Sequence, residues 1–130
     1  MNPRGEPDPE AAVQSPHMGI TTHVLDTARG RPAPGVHVVL ERRGPDGTWT
    51  RVGDGHTDAD GRLRTLMPDA DAVARGRYRL TFDTGRYFTA LDVRAFYPDV
   101  TVTFEVVDSG GHCHVPLLLS PFGMSTYRGS

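Results

Sequence analysis

The feature that most constrains this chain is an alternation of apolar and polar residues with a period of two. It recurs in short runs, of which those at 36–41, 78–82 and 100–106 are the clearest. Because successive side chains of a strand point to opposite faces, each run predicts a half-buried β-strand. Turn-forming Gly, Pro and Asp residues separate the runs. Seven or eight short strands with such spacing predict an all-β fold, a β-sandwich.

Two connections can also be predicted. Asp69–Arg75 begins with acidic residues, ends with Arg and precedes Gly76, which favours one short helix. The stretch Asp108–Gly111 is rich in turn residues and predicts a hairpin between the strand at 100–106 and the strand at 112–119.

The 130 residues suffice for a single domain. Residues 1–18 are rich in Pro, Asp, Glu and Ser and predict a disordered leader, so that 19–130 form the folded domain. The net charge of −2 supports neither nucleic acid nor an anionic membrane as a partner. Because the chain has no Lys, Schiff-base chemistry is excluded.

The single cysteine, Cys113, cannot form a disulfide within the chain. The first residues lack the continuous apolar segment of a secretory signal, and no stretch has the length of a membrane span. We therefore expect a cytoplasmic protein.

Two histidines two residues apart, His112 and His114, occur on the last predicted strand. At this spacing both imidazoles point to one side of a strand, while Cys113 points to the other. Imidazoles gain and lose protons near neutral pH, so the two could form an acid–base pair or part of a metal site. The competing interpretation is a solvated polar face on an edge strand. For Cys113, an inward-packed thiol is favoured over a nucleophile.

A third histidine, His23, lies in the first predicted strand, on the same face as Thr21 and Leu25. Taken alone, it is typical of a hydrogen-bonded structural histidine. With His112 and His114 it would complete three imidazoles, the ligand set of some zinc sites. This requires that the first and last strands approach each other.

The stretch HTDADGR resembles a calcium-binding loop but lacks two of its ligands. With Gly61 at the sixth position, the first and twelfth positions are His56 and Met67, where the loop needs Asp and Glu. What remains is a tight turn that places Arg62 at the start of a strand. Arg62 is otherwise interpreted as one of 14 surface arginines.

Four blocks of the sequence resemble the transthyretin-like 5-hydroxyisourate hydrolases. They are THVLDTARGRPAPGV, TDADGR, RYRLTFDTGRYF with FYPD, and HCHVPLLLSPFGMSTYRGS. The resemblance covers 19–130. Its most specific part is the final YRGS preceded by a strand with the H-x-H motif, and we interpret this ending as functional.

The resemblance implies an eight-stranded transthyretin-like sandwich with one short helix, assembled as a homotetramer. Its sites would lie in a channel between two dimers, where a small-molecule substrate is hydrolysed without a cofactor or a required metal. The implied catalytic residues are His23, Arg62, His114 and Ser130. The implied substrate-binding neighbours are His112, Tyr127, Arg128 and Gly129.

The chain departs from the family pattern at Cys113, often tyrosine, and at Met124, often aromatic. Neither departure removes a catalytic group. Two other functions remain open. One is a transthyretin-type carrier of small molecules, and the other is a metal-binding protein that uses the three histidines.

Overall fold

The computed structural model describes residues 19–67, 73–108 and 111–129. Within them, two sheets face each other, and the predicted β-sandwich is confirmed. The strands are β1 Ile20–Asp26, β2 Arg31–Pro32, β3 His37–Arg43, β4 Trp49–His56, β5 Arg62–Leu63, β6 Gly76–Phe82, β7 Val100–Val106, β8 Cys113–Ser120 and β9 Gly123–Thr126.

The first sheet has the order β2-β1-β8-β9, and β5 also pairs with β1. The second sheet has the order β4-β3-β6-β7. The pair β1 and β8 is parallel, and the other pairs are antiparallel. The described strands outnumber the eight expected because β2 and β5 are two-residue segments that share β1 as their partner.

The core lies between the sheets and is built from alternate residues, as the period of two predicts. In β3, Val38 and Leu40 are fully buried, and in β6 the same holds for Leu80 and Phe82. Burying an aliphatic or aromatic side chain of this size contributes roughly 1.5–3 kcal/mol. The apolar faces therefore hold the two sheets together, while the intervening residues remain available at the outer surfaces.

The helix found among the described residues is not the one predicted at Asp69–Arg75. In the predicted helix Asp69–Arg75, residues 69–72 lie outside the described residues, and 73–75 are not helical. The described helix, α1, spans Thr84–Ala90. Asp83 precedes it and forms with its first two residues the triplet Asp-Thr-Gly, which favours a turn when only the local sequence is considered.

Tertiary contacts stabilise α1. Its buried residues Thr84, Tyr87 and Phe88 are spaced three and four apart and so share one face of the helix. The Tyr87 hydroxyl donates a hydrogen bond of 2.8 Å to the carboxylate of Asp26, which is fully buried at the end of β1. Burial and the nearby Asp26 carboxylate raise the pKa of Tyr87.

The predicted hairpin between β7 and β8 is wrong. The two strands belong to different sheets, so the segment between them crosses the sandwich. β8 contains a run of buried apolar residues, Val115–Leu119 with only Leu118 partly exposed, which is typical of a central strand. Such a strand needs partners on both edges, and β1 and β9 provide them.

Residues 1–18, predicted as a leader, lie outside the described residues. In the part of the chain that the structure describes, no helix has the length and apolar character to cross a membrane.

The predicted turn at Asp58–Gly61 sets the position of β5. The Asp58 carboxylate accepts hydrogen bonds from the backbone N–H groups of Asp60 and Arg62, at 2.9 and 3.0 Å. Gly61 has a φ of +76°, and its carbonyl accepts a 2.7 Å hydrogen bond from the N–H of Val24 in β1. A Cβ at Gly61 would collide with the Val24 carbonyl oxygen, so the turn approaches β1 as closely as only glycine allows.

We therefore expect Gly61→Ala to lower the free energy of unfolding by about 2–4 kcal/mol, from backbone strain plus collision. Gly30→Ala is the matched control, because Gly30 has a φ of +68° but no atom within 4 Å of an added Cβ. It should cost only about 1 kcal/mol. Chemical denaturation at equal protein concentration measures both, and equal losses would contradict the role of the close approach.

Candidate active site

Strand pairing places four polar residues in one row on the outer face of the first sheet. Thr21 of β1 lies opposite His114 of β8, and His23 of β1 lies opposite Arg62 of β5. Residues paired across strands share a face, and so do residues two apart on one strand. Thr21, His23, Arg62 and His114 therefore lie on the same side of the sheet. The first and last predicted strands do approach each other, which was the condition for bringing the three histidines together.

Thr21 contacts two of the three histidines. Its Oγ1 lies 2.9 Å from Nε2 of His112 and 2.8 Å from Nδ1 of His114. The planes of the two rings are inclined by 29°, and their centroids are 6.0 Å apart. Although His112 directly precedes β8, it reaches the same hydroxyl as His114, so the two imidazoles lie on one side, as predicted.

The third histidine is oriented by the turn before β5. Nε2 of His23 lies 2.9 Å from the carbonyl oxygen of Asp60. Because a carbonyl only accepts hydrogen bonds, Nε2 must carry the proton. In the neutral ring the lone pair then lies on Nδ1.

Gly129 lies beside His114, on the edge of β8 opposite Thr21. Its N–H donates a 2.8 Å hydrogen bond to the His114 carbonyl. A Cβ at Gly129 would lie 2.6 Å from Cδ2 of His114, so the backbone packs directly against the imidazole edge. Ser130, expected to be catalytic, lies outside the described residues.

The surroundings of His114 favour its neutral form. Burial lowers the pKa of the ring, because desolvation disfavours the charged imidazolium. The neighbouring His112, His23, Arg62 and Arg64 lower it further when they are charged. A neutral ring keeps a lone pair on one nitrogen and can accept a proton.

A cavity of about 500 Å³ opens between β7 and the strands β8 and β9. Three of the expected substrate-binding residues, His112, Tyr127 and Arg128, line it. His23, Arg62 and His114 do not, since they lie along the outer face of the sheet. In the described part of one chain, these three side chains thus lie on an open face of the sheet and are bounded on one side only.

Cys113 points away from the histidines, as expected from strand alternation. It lines the same cavity and packs against the core between the sheets. Burial raises the pKa of its thiol, an effect that nearby Arg128 partly opposes. Cys113 is thus an inward-packed thiol.

The described residues of one chain do not form a metal site with three ligands. Among the described residues, no three His, Cys, Asp or Glu side chains are grouped closely enough to hold an ion. His23, His112 and His114 of one chain therefore do not constitute the zinc ligand set that the sequence left open.

Residues 20–129 match the HIUase/Transthyretin family. The chain belongs to this family.

Relatives in the family include the 5-hydroxyisourate hydrolase of Salmonella dublin, 46% identical over 122 residues that cover 94% of this chain and 88% of that protein. The 5-hydroxyisourate hydrolase of Deinococcus radiodurans is 46% identical over 119 residues, covering 89% of this chain and 99% of that protein.

Solved structures from the family have the same fold. The 5-hydroxyisourate hydrolase of Klebsiella pneumoniae superimposes with a TM-score of 0.74 at 34% identity and covers 87% of this chain and 94% of its own. Sea bream transthyretin in complex with thyroxine gives a TM-score of 0.78 at 32% identity, covering 85% and 93%.

Thr21 was not predicted to be a functional residue. Its position two residues before His23 on a strand indicated a shared face. What the sequence does not indicate is that β8 pairs with β1 in parallel, which brings a residue 93 positions away to the threonine hydroxyl. In this member of the HIUase/Transthyretin family, the register of one strand pair determines the surroundings of His114.

We expect His114 to titrate below the ordinary imidazole value of 6.5, because burial and its positive neighbours disfavour the protonated ring. In the unfolded chain the ring binds its proton near 6.5, before the folded chain does. The free energy of unfolding should therefore fall as the pH falls from about 6.5 to the folded pKa.

NMR titration of the ring protons measures the first effect, and denaturation at several pH values measures the second. His114→Gln should remove this part of the pH dependence. A midpoint at or above 6.5 would contradict the expectation.

Proposed function

We propose that this chain hydrolyses the ring amide of 5-hydroxyisourate to give 2-oxo-4-hydroxy-4-carboxy-5-ureidoimidazoline. The observation that carries the proposal is that a His114 imidazole of lowered pKa lies on one face with His23 and Arg62. Relatives that align with most of the chain are 5-hydroxyisourate hydrolases. Amide hydrolysis needs an activated water, a stabilised oxyanion and a proton for the leaving nitrogen, and this row of residues can supply all three.

We assign the role of general base to His114. Its lowered pKa leaves the ring neutral near neutral pH, so that it can take a proton from water as the oxygen attacks the ring carbonyl. The resulting imidazolium then gives that proton to the leaving ring nitrogen. The His114 ring is neutral again at the end of the cycle, so it has neither gained nor lost a proton overall.

Arg62 is the residue proposed to bind the oxyanion. A guanidinium is a planar group of hydrogen-bond donors and suits a carbonyl-rich substrate. Arg62 is half-buried and lies opposite His23, and the Asp58 carboxylate holds its backbone N–H. The turn thus places the charged side chain at one end of the row.

His23 is proposed to orient the attacking water. Its Nε2–H is engaged by the Asp60 carbonyl, which leaves Nδ1 as an acceptor for a hydrogen bond from water. We propose Ser130 as the fourth catalytic residue. It directly follows Gly129, whose backbone is hydrogen-bonded to His114. The proposed substrate-binding residues are His112, Tyr127, Arg128 and Gly129.

We further propose that the protein is a homotetramer in which the sites lie between two dimers. Phe122 and Phe96 are 72% and 69% exposed, and a 2.8 Å backbone hydrogen bond joins the Phe96 N–H to Pro121. These aromatic rings form an exposed apolar area that a second copy can cover. Because Cys113 has no partner for a disulfide in the chain, we also propose a cytoplasmic location.

The second candidate function is a small-molecule carrier, which the likeness to a transthyretin that holds thyroxine favours. A carrier would bind a ligand without turnover. An activity measurement therefore separates the two functions.

The decisive assay follows the absorbance of 5-hydroxyisourate freshly made from urate by urate oxidase, with and without the protein, after treatment with a chelator. We expect acceleration that survives chelation. Loss of activity on chelation would contradict a metal-independent reaction, and no acceleration by a folded sample would favour the carrier.

The histidine variants test the mechanism. His114→Ala should lower kcat by roughly a hundredfold to ten-thousandfold, the range that acid–base catalysis contributes, and His23→Ala should also remove most turnover. His37→Ala is the matched control, because His37 lies in the other sheet with Asp54 as its partner. If folded His114→Ala retained the activity of the control, His114 would not be the base.

A further inference from the structure

A single hydroxyl group lies between two imidazoles in this molecule. Thr21 Oγ1 is within 2.9 Å of both His112 Nε2 and His114 Nδ1. Only 3% of Thr21 is exposed, so its hydroxyl has little access to water as an alternative partner. The hydroxyl has one proton and can donate to only one of the two rings. The other ring must donate its own N–H to the threonine oxygen.

The hydroxyl oxygen could also accept from both rings, but its own proton would then have no partner among the described residues. When the rings are neutral, two arrangements satisfy both hydrogen bonds and also use the hydroxyl proton. In the first, Thr21 donates to His112 Nε2 and accepts from Nδ1–H of His114. In the second, Thr21 donates to His114 Nδ1 and accepts from Nε2–H of His112. His114 therefore has its lone pair on Nε2 in the first arrangement and a proton on Nε2 in the second. Only the first leaves His114 a lone pair that is not engaged by Thr21.

We propose that Thr21 is a positioning residue that holds His114 in the tautomer with Nδ1 protonated and the Nε2 lone pair available to the attacking water. This inference rests on the proposed function, since it assigns a state to the proposed base. Thr21 acts through His114 and does not itself touch the substrate.

The surroundings of the ring support this arrangement. Among the described residues, Thr21 is the sole hydrogen-bond partner of the His114 ring, so Nε2 has no partner there. Gly129 packs against Cδ2, the ring carbon next to Nε2, where an added side chain would collide with the ring. His114 is only half-buried, so the tautomer with a lone pair on Nε2 can present it to water.

The charges around the ring favour the neutral state in which the tautomer matters. His112 faces His114 from the residue that precedes β8, His23 from β1, and Arg62 with Arg64 from the segment that begins at β5. Among the described residues, no carboxylate shifts the pKa of His114. Thr21 thus provides an uncharged acceptor for Nδ1–H, which selects a tautomer without stabilising the imidazolium as a carboxylate would.

The primary test is the tautomer itself, read from long-range ¹H–¹⁵N correlation spectra of the full-length wild-type protein above the midpoint of the His114 titration. We expect a pyrrole-type Nδ1 and a pyridine-type Nε2. Thr21→Val has nearly the same shape but no hydroxyl, and it should shift the ring to a mixture of both tautomers. A wild-type ring protonated on Nε2, or an unchanged population in Thr21→Val, would overturn the inference.

The second test is turnover of 5-hydroxyisourate. Thr21→Val should lower kcat by about tenfold to a hundredfold, which is part of the ~10²–10⁴ that acid–base catalysis supplies. Thr21→Ser restores the hydroxyl and should recover most of the loss. Because the hydroxyl does not bind the substrate, we expect the change in kcat and not in KM.

Thr22→Val is the matched control for a structural effect. Thr22 is fully buried on β1 and donates a 2.6 Å hydrogen bond to the Val115 carbonyl of β8, so it joins the same two strands without touching an imidazole. It should retain wild-type turnover and the wild-type tautomer. If Thr22→Val lost as much activity as Thr21→Val while folded, a loosened strand pair would explain both, and the inference would be wrong.

The two proposals can fail separately. If the wild-type protein did not hydrolyse 5-hydroxyisourate, the proposed function would fail, while the NMR measurement would still decide the tautomer. If it hydrolysed the substrate with His114 protonated on Nε2, the function would stand and the role of Thr21 would be overturned.

Discussion

The parallel pairing of β1 with β8 is the constraint on which the rest of this structure depends. It joins strands from opposite ends of the chain, and its register places Thr21 opposite His114. A shift of one residue would turn the outer-face side chains of β1 into the core, where Thr22 and Val24 are now fully buried. The hydrophobic core thus enforces the register, and the register enforces the geometry of the proposed site. Stability and function are coupled through the same hydrogen bonds.

The other edge of β1 has a complementary role. The turn that ends at Gly61 approaches the strand so closely that a carbonyl of the turn is hydrogen-bonded to Val24. That approach sets Arg62 opposite His23 and brings the Asp60 carbonyl to the His23 ring. An arginine therefore lies at one edge of β1, and two imidazoles lie at its other edge. Backbone hydrogen bonds thus hold the proposed site on both edges of β1, as a preorganised catalytic group requires.

The row of proposed catalytic residues lies on the outer face of the first sheet. It does not line the cavity between β7 and the strands β8 and β9 of the same chain. Tyr127 and Arg128 line the space between the sheets at one edge, whereas His23, Arg62 and His114 lie along the outside. A single chain therefore offers a wall, and in the proposed assembly a second copy placed against it would enclose the substrate. The exposed aromatic rings of Phe96 and Phe122 are consistent with such an assembly.

The sequence by itself determined the alternation that makes an all-β sandwich, the turn before Arg62 and the shared side of His112 and His114. Each depends on residues that are close along the chain, and strand geometry converts that spacing into position. The tertiary structure determined which residues that are distant along the chain contact each other. The hairpin predicted before His112 is instead a crossing between sheets, and α1 forms because Tyr87 can reach Asp26 and its apolar face can be buried. Likewise, the contact of Thr21 with His114 depends on long-range strand pairing, which local spacing does not encode.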